Sequence, residues 1–427
     1  MEIFSANPII AEYGIWFIIL AFVFGIYMAW GIGANDVGNA MGTSVGSGAI
    51  TIKQAIFIAG ICEFAGAFLA GGTVTGTIKS GIIDPSALAD MPHLLVFGML
   101  ASLLASGIWL MIASGRGWPV STTHTIVGAL VGFGIAGIGT HAILWDGLGE
   151  IVASWFISPV LGGIIALVLM LSVRKLVFET DDPFGNAKKW APFYIFLVGY
   201  IVSVVTLSKG LQNFNLNFST LETQVGSIAV GIICAIIGKL LVNKVQFDNT
   251  ADRRFHFANV EKVFTPMMVF TAAAMSFAHG SNDVANGIGP LTAVLELVHH
   301  GQLVSNAPVP WWVLFAGGLA IVVGLATLGY RVMRTIGTKI TELTPSRGYC
   351  ATLAAATTVV LSSGLGLPVS TTHIAVGAVM GVGLARGIGA LDLRVLGNIV
   401  VSWFITLPVG ALLAAFCYYI LLIIFGS

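Results

Sequence analysis

The chain is predicted to be an all-α polytopic membrane protein: about twelve transmembrane helices in two inverted five-helix repeats joined by two linking spans. Composition, the lengths of the apolar runs and an internal repeat at a nearly fixed offset predict it. Of 427 residues, 57% are apolar and 9% charged, and the mean hydropathy is +0.95. A soluble domain carries about a quarter charged residues, so this chain has too few to build a soluble surface. That excludes a cytosolic enzyme, a nucleic-acid binder and a disordered scaffold, and makes the lipid bilayer a partner. Nineteen basic residues balance nineteen acidic ones, so net charge points to no partner. Glycine, at 53 residues, exceeds its usual share of about 7%, which suits helices in close approach. Cys62, Cys234, Cys350 and Cys417 lie far apart, fit neither metal spacing nor a disulfide framework, and read as free packing thiols. The N-terminal MEIFSANPII has no basic n-region, so no cleavable signal peptide is expected.

Taken in order, apolar runs lie near 14–38, 52–72, 93–114, 119–139, 149–173, 190–207 and 224–243. After a polar stretch at 244–262 come five more, near 263–289, 311–333, 348–366, 368–388 and 395–425. Each is near the ~20 residues that cross a bilayer core as helix, and none alternates in polarity as barrel strands do. Lysine and arginine test the count. Gaps after odd-numbered spans hold seventeen of them, and gaps after even-numbered spans hold two, Lys79 and Lys209. The positive-inside rule then puts both termini outside and the 174–189 and 244–262 loops in the cytoplasm. If the runs at 119–139 and 368–388 were re-entrant, the split would fall to fourteen against five. Charge therefore favours full crossing, with broken helices allowed.

The chain also repeats itself. Asn35-Asp36-Val37-Gly38-Asn39 returns as Asn282-Asp283-Val284-Ala285-Asn286, an offset of 247. Pro119-Val120-Ser121-Thr122-Thr123-His124 returns unchanged from Pro368 to His373, an offset of 249, and Ser154-Trp155-Phe156-Ile157 returns at Ser402 with an offset of 248. Three matches in one order mark a duplication. Seven spans precede the second copy, so it enters the membrane from the opposite side, as in transporters with a midplane site. The organisation is then a first repeat over 1–173, loops and two linking spans over 174–262, and an inverted second repeat over 263–427.

Ionisable groups at membrane depth are costly and tend to be functional. Three stand out: Asp36 and Asp283, in the first span of each repeat, and Glu63 in the second span. On a helix Asn35, Asp36 and Asn39 bring their oxygens together, and Asn282, Asp283 and Asn286 repeat the cluster. Amide and carboxylate oxygens suit a hard cation, and the same residue types also cap helices. Gly31, Gly33, Gly38, Gly42, Gly280, Gly287, Gly289 and Pro290 flank the clusters and favour local unwinding, which would free backbone carbonyls beside a cavity. Glu63 is not repeated: matching Gly60 and Gly66 with Gly318 and Gly324 sets Ile321 at its counterpart, so a structural pairing fits as well as a site role. Ser121, Thr122 and Thr123, with Ser370, Thr371 and Thr372, open two helices after a proline. A helix N-terminus with added hydroxyls suits a tetrahedral oxyanion, although hydroxyls also bond backbone within membrane helices. His124 and His373, one step on, either join the site or pack. Trp155 and Trp403 read as packing or interfacial anchors. Gly128 with Gly132, and Gly377 with Gly381, have the spacing for close helix contact.

These residues resemble the inorganic phosphate transporter family, whose animal members are type III sodium/phosphate symporters. The resemblance rests on Gly33-Ala34-Asn35-Asp36-Val37-Gly38-Asn39, its partner from Gly280 to Asn286, the paired Pro-Val-Ser-Thr-Thr-His segments and Gly42-Thr43-Ser44-Val45-Gly46-Ser47-Gly48, and it runs through all ten repeated spans. It implies phosphate held by the Ser-Thr-Thr segments, cations held by the Asn-Asp segments, and a homodimer. The first motif is closer to the sodium-coupled branch than to the proton-coupled one. Some members carry a glutamate where Thr352 aligns, and animal relatives have a large cytoplasmic domain that is absent here.

The function expected is a secondary active symporter of the cell (inner or plasma) membrane that imports inorganic phosphate with sodium ions as co-transported ligands and no other cofactor. Two rivals stand beside it. One is a proton-coupled phosphate or sulfate symporter of the same fold. The other is an intramembrane aspartic protease built on a pair of aspartates, which needs neither paired asparagines nor duplicated hydroxyl turns. The symporter requires the acidic and the hydroxyl segments to meet in one chamber.

Overall fold

A computed structural model describes residues 7–250, 257–303, 307–333, 343–385, 387 and 393–426. Arg253, Arg254, Arg334, Lys339 and Arg386, and the side chains of Arg394, Ser402 and Trp403, lie outside the described residues. The helices of the first half are α1 (Pro8–Gly46), α2 (Ile52–Ala70), α3 (Gly72–Ser80), α4 (Pro92–Arg116), α5 (Thr122–Gly137) and α6 (Trp145–Val173). Then follow α7 (Pro183–Ser208), α8 (Thr220–Asn243), α9 (Ala258–His300), α10 (Trp311–Thr327), α11 (Pro345–Gly364), α12 (Thr371–Leu384) and α13 (Leu393–Phe425).

Local chemistry sets several of the ends. The Asn7 side chain accepts from the amides of Ile9 and Ile10, with Pro8 opening α1. Thr51 with Gln54, and Ser219 with Glu222, form reciprocal capping boxes on α2 and α8. Gly117 takes a left-handed φ of 69° and ends α4. The long apolar helices expose rows of large side chains, among them Phe156, Val168, Leu240 and Ile423, as a lipid-facing surface requires.

Among the described residues each of the twelve apolar runs falls on a helix, and eight helices are long and apolar enough to cross a membrane by themselves. The helices α5 and α12 have 16 and 14 residues, about 24 and 21 Å of rise, short of a ~30 Å core. Each starts late because a proline and a capping serine precede it, so 117–121 and 365–370 are non-helical. Full crossing by helix alone is thus not realised at these two runs. The start of α4 and the end of α5 do return to one level: the Asp84 amide donates to Ala142 O at 2.8 Å and the Leu144 amide to Ile82 O at 2.9 Å. The pair α4–α5 is a hairpin whose turn leaves Trp118 exposed and buries Val120 and Ser121. The short α3, after a break at Gly71, was not foreseen.

The two halves exchange partners. The first-half α1 packs on α10 and α5 on α13, while the second-half α9 packs on α2 and α12 on α6. Glycines make these approaches possible. A Cβ on Gly33 would overlap Ile321 O and one on Gly280 would overlap Glu63 O; Gly324 against Trp30 O and Gly66 against Phe277 O repeat the pairing. Gly128 and Gly132 lie on Leu407 and Ala411, and Gly377 and Gly381 on Pro159 and Gly163, as their spacing predicted.

Lys79, one of the two basic residues on the minority side of the charge split, is 3% exposed. It pairs with Glu296 of α9 at 2.9 Å. Lys79→Met should take the lysine from a part-buried carboxylate and destabilise the protein by about 1–3 kcal/mol, whereas Lys79→Met with Glu296→Leu should recover most of that. Melting of the purified variants in detergent checks both.

Candidate functional site

Helices α1 and α9 carry the acidic segments through the centre of the bundle. Asn35, Asp36 and Asn39 are 1%, 1% and 4% exposed, and Asn282, Asp283 and Asn286 are fully buried. Both helices run unbroken through these residues, so the expected unwinding does not occur. The flanking glycines let neighbouring backbones close in, and that packing keeps these residues helical. One carbonyl still leaves the ladder: Pro290 has no N–H to give the Asn286 C=O. The hydroxyl segments open α5 and α12 as their sequence predicts. Ser121 accepts from the His124 amide at 3.2 Å and Ser370 from the His373 amide at 3.3 Å. As hydroxyls, both capping serines keep a proton to donate.

The acidic and hydroxyl segments form one cluster. Thr122 donates to Asp36 Oδ2 at 2.7 Å and Thr371 to Asp283 Oδ2 at 3.0 Å. The Asn39 amide donates across to Thr372 at 2.8 Å, and the Asn286 amide to Thr122 and Thr123 at 3.3 Å each. The two hairpin turns also meet each other, since Thr123 donates to Val369 O at 3.0 Å and Thr372 to Val120 O at 3.4 Å. Asn35 anchors the first turn through Ser114 Oγ, Trp118 O and the Val120 amide. Asn282 anchors the second through Ser363 Oγ and Leu367 O. The threonine contacts to the aspartates and across the turns recur in both halves, and the six hydroxyl residues are 2% exposed or less. Side-chain ligand atoms of Asp36, Asp283 and His279 lie within 4.8 Å of one another. Carboxylate, amide and hydroxyl oxygens in a water-excluded cluster can hold a hard cation, and helix starts with hydroxyls can hold an oxyanion beside it.

Glu63 joins this cluster through a residue the sequence reading passed over. His279 Nδ1 is 3.1 Å from Glu63 Oε1, its Nε2 is 3.0 Å from Asp283 Oδ2, and all three side chains are buried. The available signal was an ionisable residue at membrane depth one helical turn before Asp283. His124 and His373 pack on each other, ring centroids 4.3 Å apart, and His124 packs on Trp155 at 3.9 Å. Trp155 is buried and donates to Pro368 O at 3.2 Å, bracing the second turn. Thr352 bonds Thr43 at 2.6 Å, one hydroxyl against another.

A family model described as the phosphate transporter family matches residues 32–414. A Haemophilus influenzae protein named "Putative phosphate permease" is 51% identical over 419 residues, covering 98% of this chain and all of the relative. The Arabidopsis thaliana protein named inorganic phosphate transporter 2-1, chloroplastic, is 43% identical, covering 92% of this chain and 70% of its own length. A solved structure titled the sodium-dependent phosphate transporter superposes with a TM-score of 0.89 at 39% identity, over 96% of this chain and 99% of that one.

Proposed function

This chain belongs to the phosphate transporter family, a family of membrane transporters and not of enzymes, and from that premise we propose that it imports inorganic phosphate on the sodium gradient. Sodium is held by the Asn-Asp segments of α1 and α9, phosphate by the two Ser-Thr-Thr turns. The carrying observation is that each aspartate accepts from a threonine of a hydroxyl turn: Asp36 from Thr122 and Asp283 from Thr371. A threonine hydroxyl has one proton to donate. While that proton lies on a carboxylate it is not available to an anion. A sodium ion on the carboxylate takes over its charge and turns the hydroxyl toward phosphate.

Sodium and phosphate therefore promote each other's binding, and the linkage is reciprocal. Charge reinforces it. Moving an unpaired phosphate into a dry interior costs tens of kcal/mol by Born estimates, and sodium beside it offsets that cost. In this scheme the two halves form an inverted repeat in the cell membrane, each with a hairpin that carries its hydroxyl turn, with both termini outside, and two copies form a homodimer. The solved neighbour whose title names sodium dependence supports sodium as the coupling ion.

Radiolabelled phosphate uptake into proteoliposomes, with sodium, proton and voltage gradients imposed separately, tests this. Uptake should follow the sodium gradient and resist excess sulfate. Uptake that follows a proton gradient with sodium absent would establish the proton-coupled alternative. Sodium and phosphate together should also raise the melting temperature by more than the sum of their separate effects.

A further inference from the structure

The two cation sites are not equivalent. In α1 every side-chain oxygen of the acid is engaged: Asn39 donates to Asp36 Oδ1 at 3.2 Å, Thr122 to Oδ2 at 2.7 Å, and the Val120 amide to Asn35 Oδ1 at 3.1 Å. In α9 the pattern changes. Thr371 donates to Asp283 Oδ2 at 3.0 Å, and His279 Nε2 stands 3.0 Å from the same oxygen as an ion-pair contact outside hydrogen-bond geometry. Asp283 Oδ1, Asn282 Oδ1 and Asn286 Oδ1 are buried with no donor among the described residues. Buried acceptors without donors are unfavourable and call for a ligand. Pro290 also removes the i+4 donor from the Asn286 carbonyl, where Thr43 stands at the equivalent place in α1.

The cause of the difference is also one-sided. The glycine contacts equate Glu63 with Ile321, since Gly280 touches one as Gly33 touches the other. The same 247-residue offset equates His279 with Ile32. The acid–imidazole couple is therefore present in one half and replaced by two isoleucines in the other. The imidazole stands between the two carboxylates as a charge partner, 3.1 Å from Glu63 and 3.0 Å from Asp283, where outer partners that orient metal ligands are found.

We infer that sodium loads the α9 site first, before phosphate, and that Glu63 and His279 are the positioning residues that make it first. The couple holds Oδ2 and leaves Oδ1 turned toward the ion with no donor to displace. The α1 site fills second, because sodium there must displace Asn39 and Thr122 from Asp36. That displacement frees Thr122 for phosphate, so the second sodium and the anion arrive together. The order rests on the sodium-coupled reading above.

Equilibrium binding of radioactive sodium to the purified protein without phosphate tests it. Wild type should bind a single ion per chain, Asp36→Asn should still bind it, and Asp283→Asn should not. Glu63→Gln and His279→Gln should each weaken that binding at least about tenfold, the loss typical of outer-partner removal. The double variant should be no worse than the weaker single, because the pair acts as a unit. Two equal ions in wild type, or loss in Asp36→Asn with retention in Asp283→Asn, would overturn the order. Unchanged sodium affinity in Glu63→Gln and His279→Gln would overturn the positioning role. Sodium-independent uptake by wild type would instead remove the transport premise, so the two failures are distinguishable.

Discussion

Asp36→Asn and Asp283→Asn are each expected to bring sodium-driven phosphate uptake to background in a protein that still folds. Asparagine has almost the shape of aspartate, so packing between α1, α9 and the hairpin turns is preserved. What disappears is the charge that holds a dehydrated sodium ion. Removing one partner of a buried, hydrogen-bonded charge pair costs about 3–5 kcal/mol, which is roughly two to three and a half decades of occupancy. The two variants should differ in stability. Asp283 Oδ1 has no donor, so the new amide at residue 283 can turn its NH2 to that side and keep its oxygen on Thr371. At residue 36 the new NH2 faces the Asn39 amide, which donates to Asp36 Oδ1 at 3.2 Å. Asp36→Asn should therefore melt lower than Asp283→Asn, by the equivalent of about 1–3 kcal/mol for a buried polar clash. Uptake in proteoliposomes and melting in detergent are the measurements. Wild-type uptake in both variants would dismiss the aspartates as cation ligands.

Much of this site is legible in the sequence because duplication printed it twice. The paired Asn-Asp and Ser-Thr-Thr segments named twelve of the residues that meet in the cluster, and their order named the helices that carry them. Three things were not legible. Glu63 and His279 meet across α2 and α9, and only the packing of those helices reveals which acid faces which base. The state of the backbone at the acidic segments was misread, because glycine has low intrinsic helix propensity. In a dense bundle tertiary packing outweighs propensity, and α1 and α9 continue as helix. The commitment of particular oxygens was also hidden, since Asp36 and Asp283 are identical in sequence yet hold different partners. Symmetry in the motif does not extend to symmetry in the site.

Gly33→Ala and Gly280→Ala are expected to prevent a stable fold, which separates the two explanations of these glycines. Were they present to let α1 and α9 unwind, alanine would be tolerated, and would favour helix by about 1 kcal/mol. The structure gives them another task. A Cβ on Gly33 would occupy the place of the Ile321 carbonyl oxygen, and one on Gly280 that of the Glu63 carbonyl oxygen. These obstacles are helix backbone, which cannot swing aside as a side chain does. To admit one methyl group, α10 must move off α1, or α2 off α9. Overpacking a core costs about 1–3 kcal/mol even when side chains can adjust, and here the whole interface must separate. In Gly280→Ala the same movement carries Glu63 away from His279, so any protein that folds should bind sodium poorly. Gly60→Ala, also on α2, is the control: its Cβ would meet only Val322 at 3.5 Å, an ordinary contact. That variant should express, melt and transport as wild type or slightly better. If Gly33→Ala and Gly280→Ala matched it in melting temperature and monodispersity, close backbone approach would not be what these glycines provide.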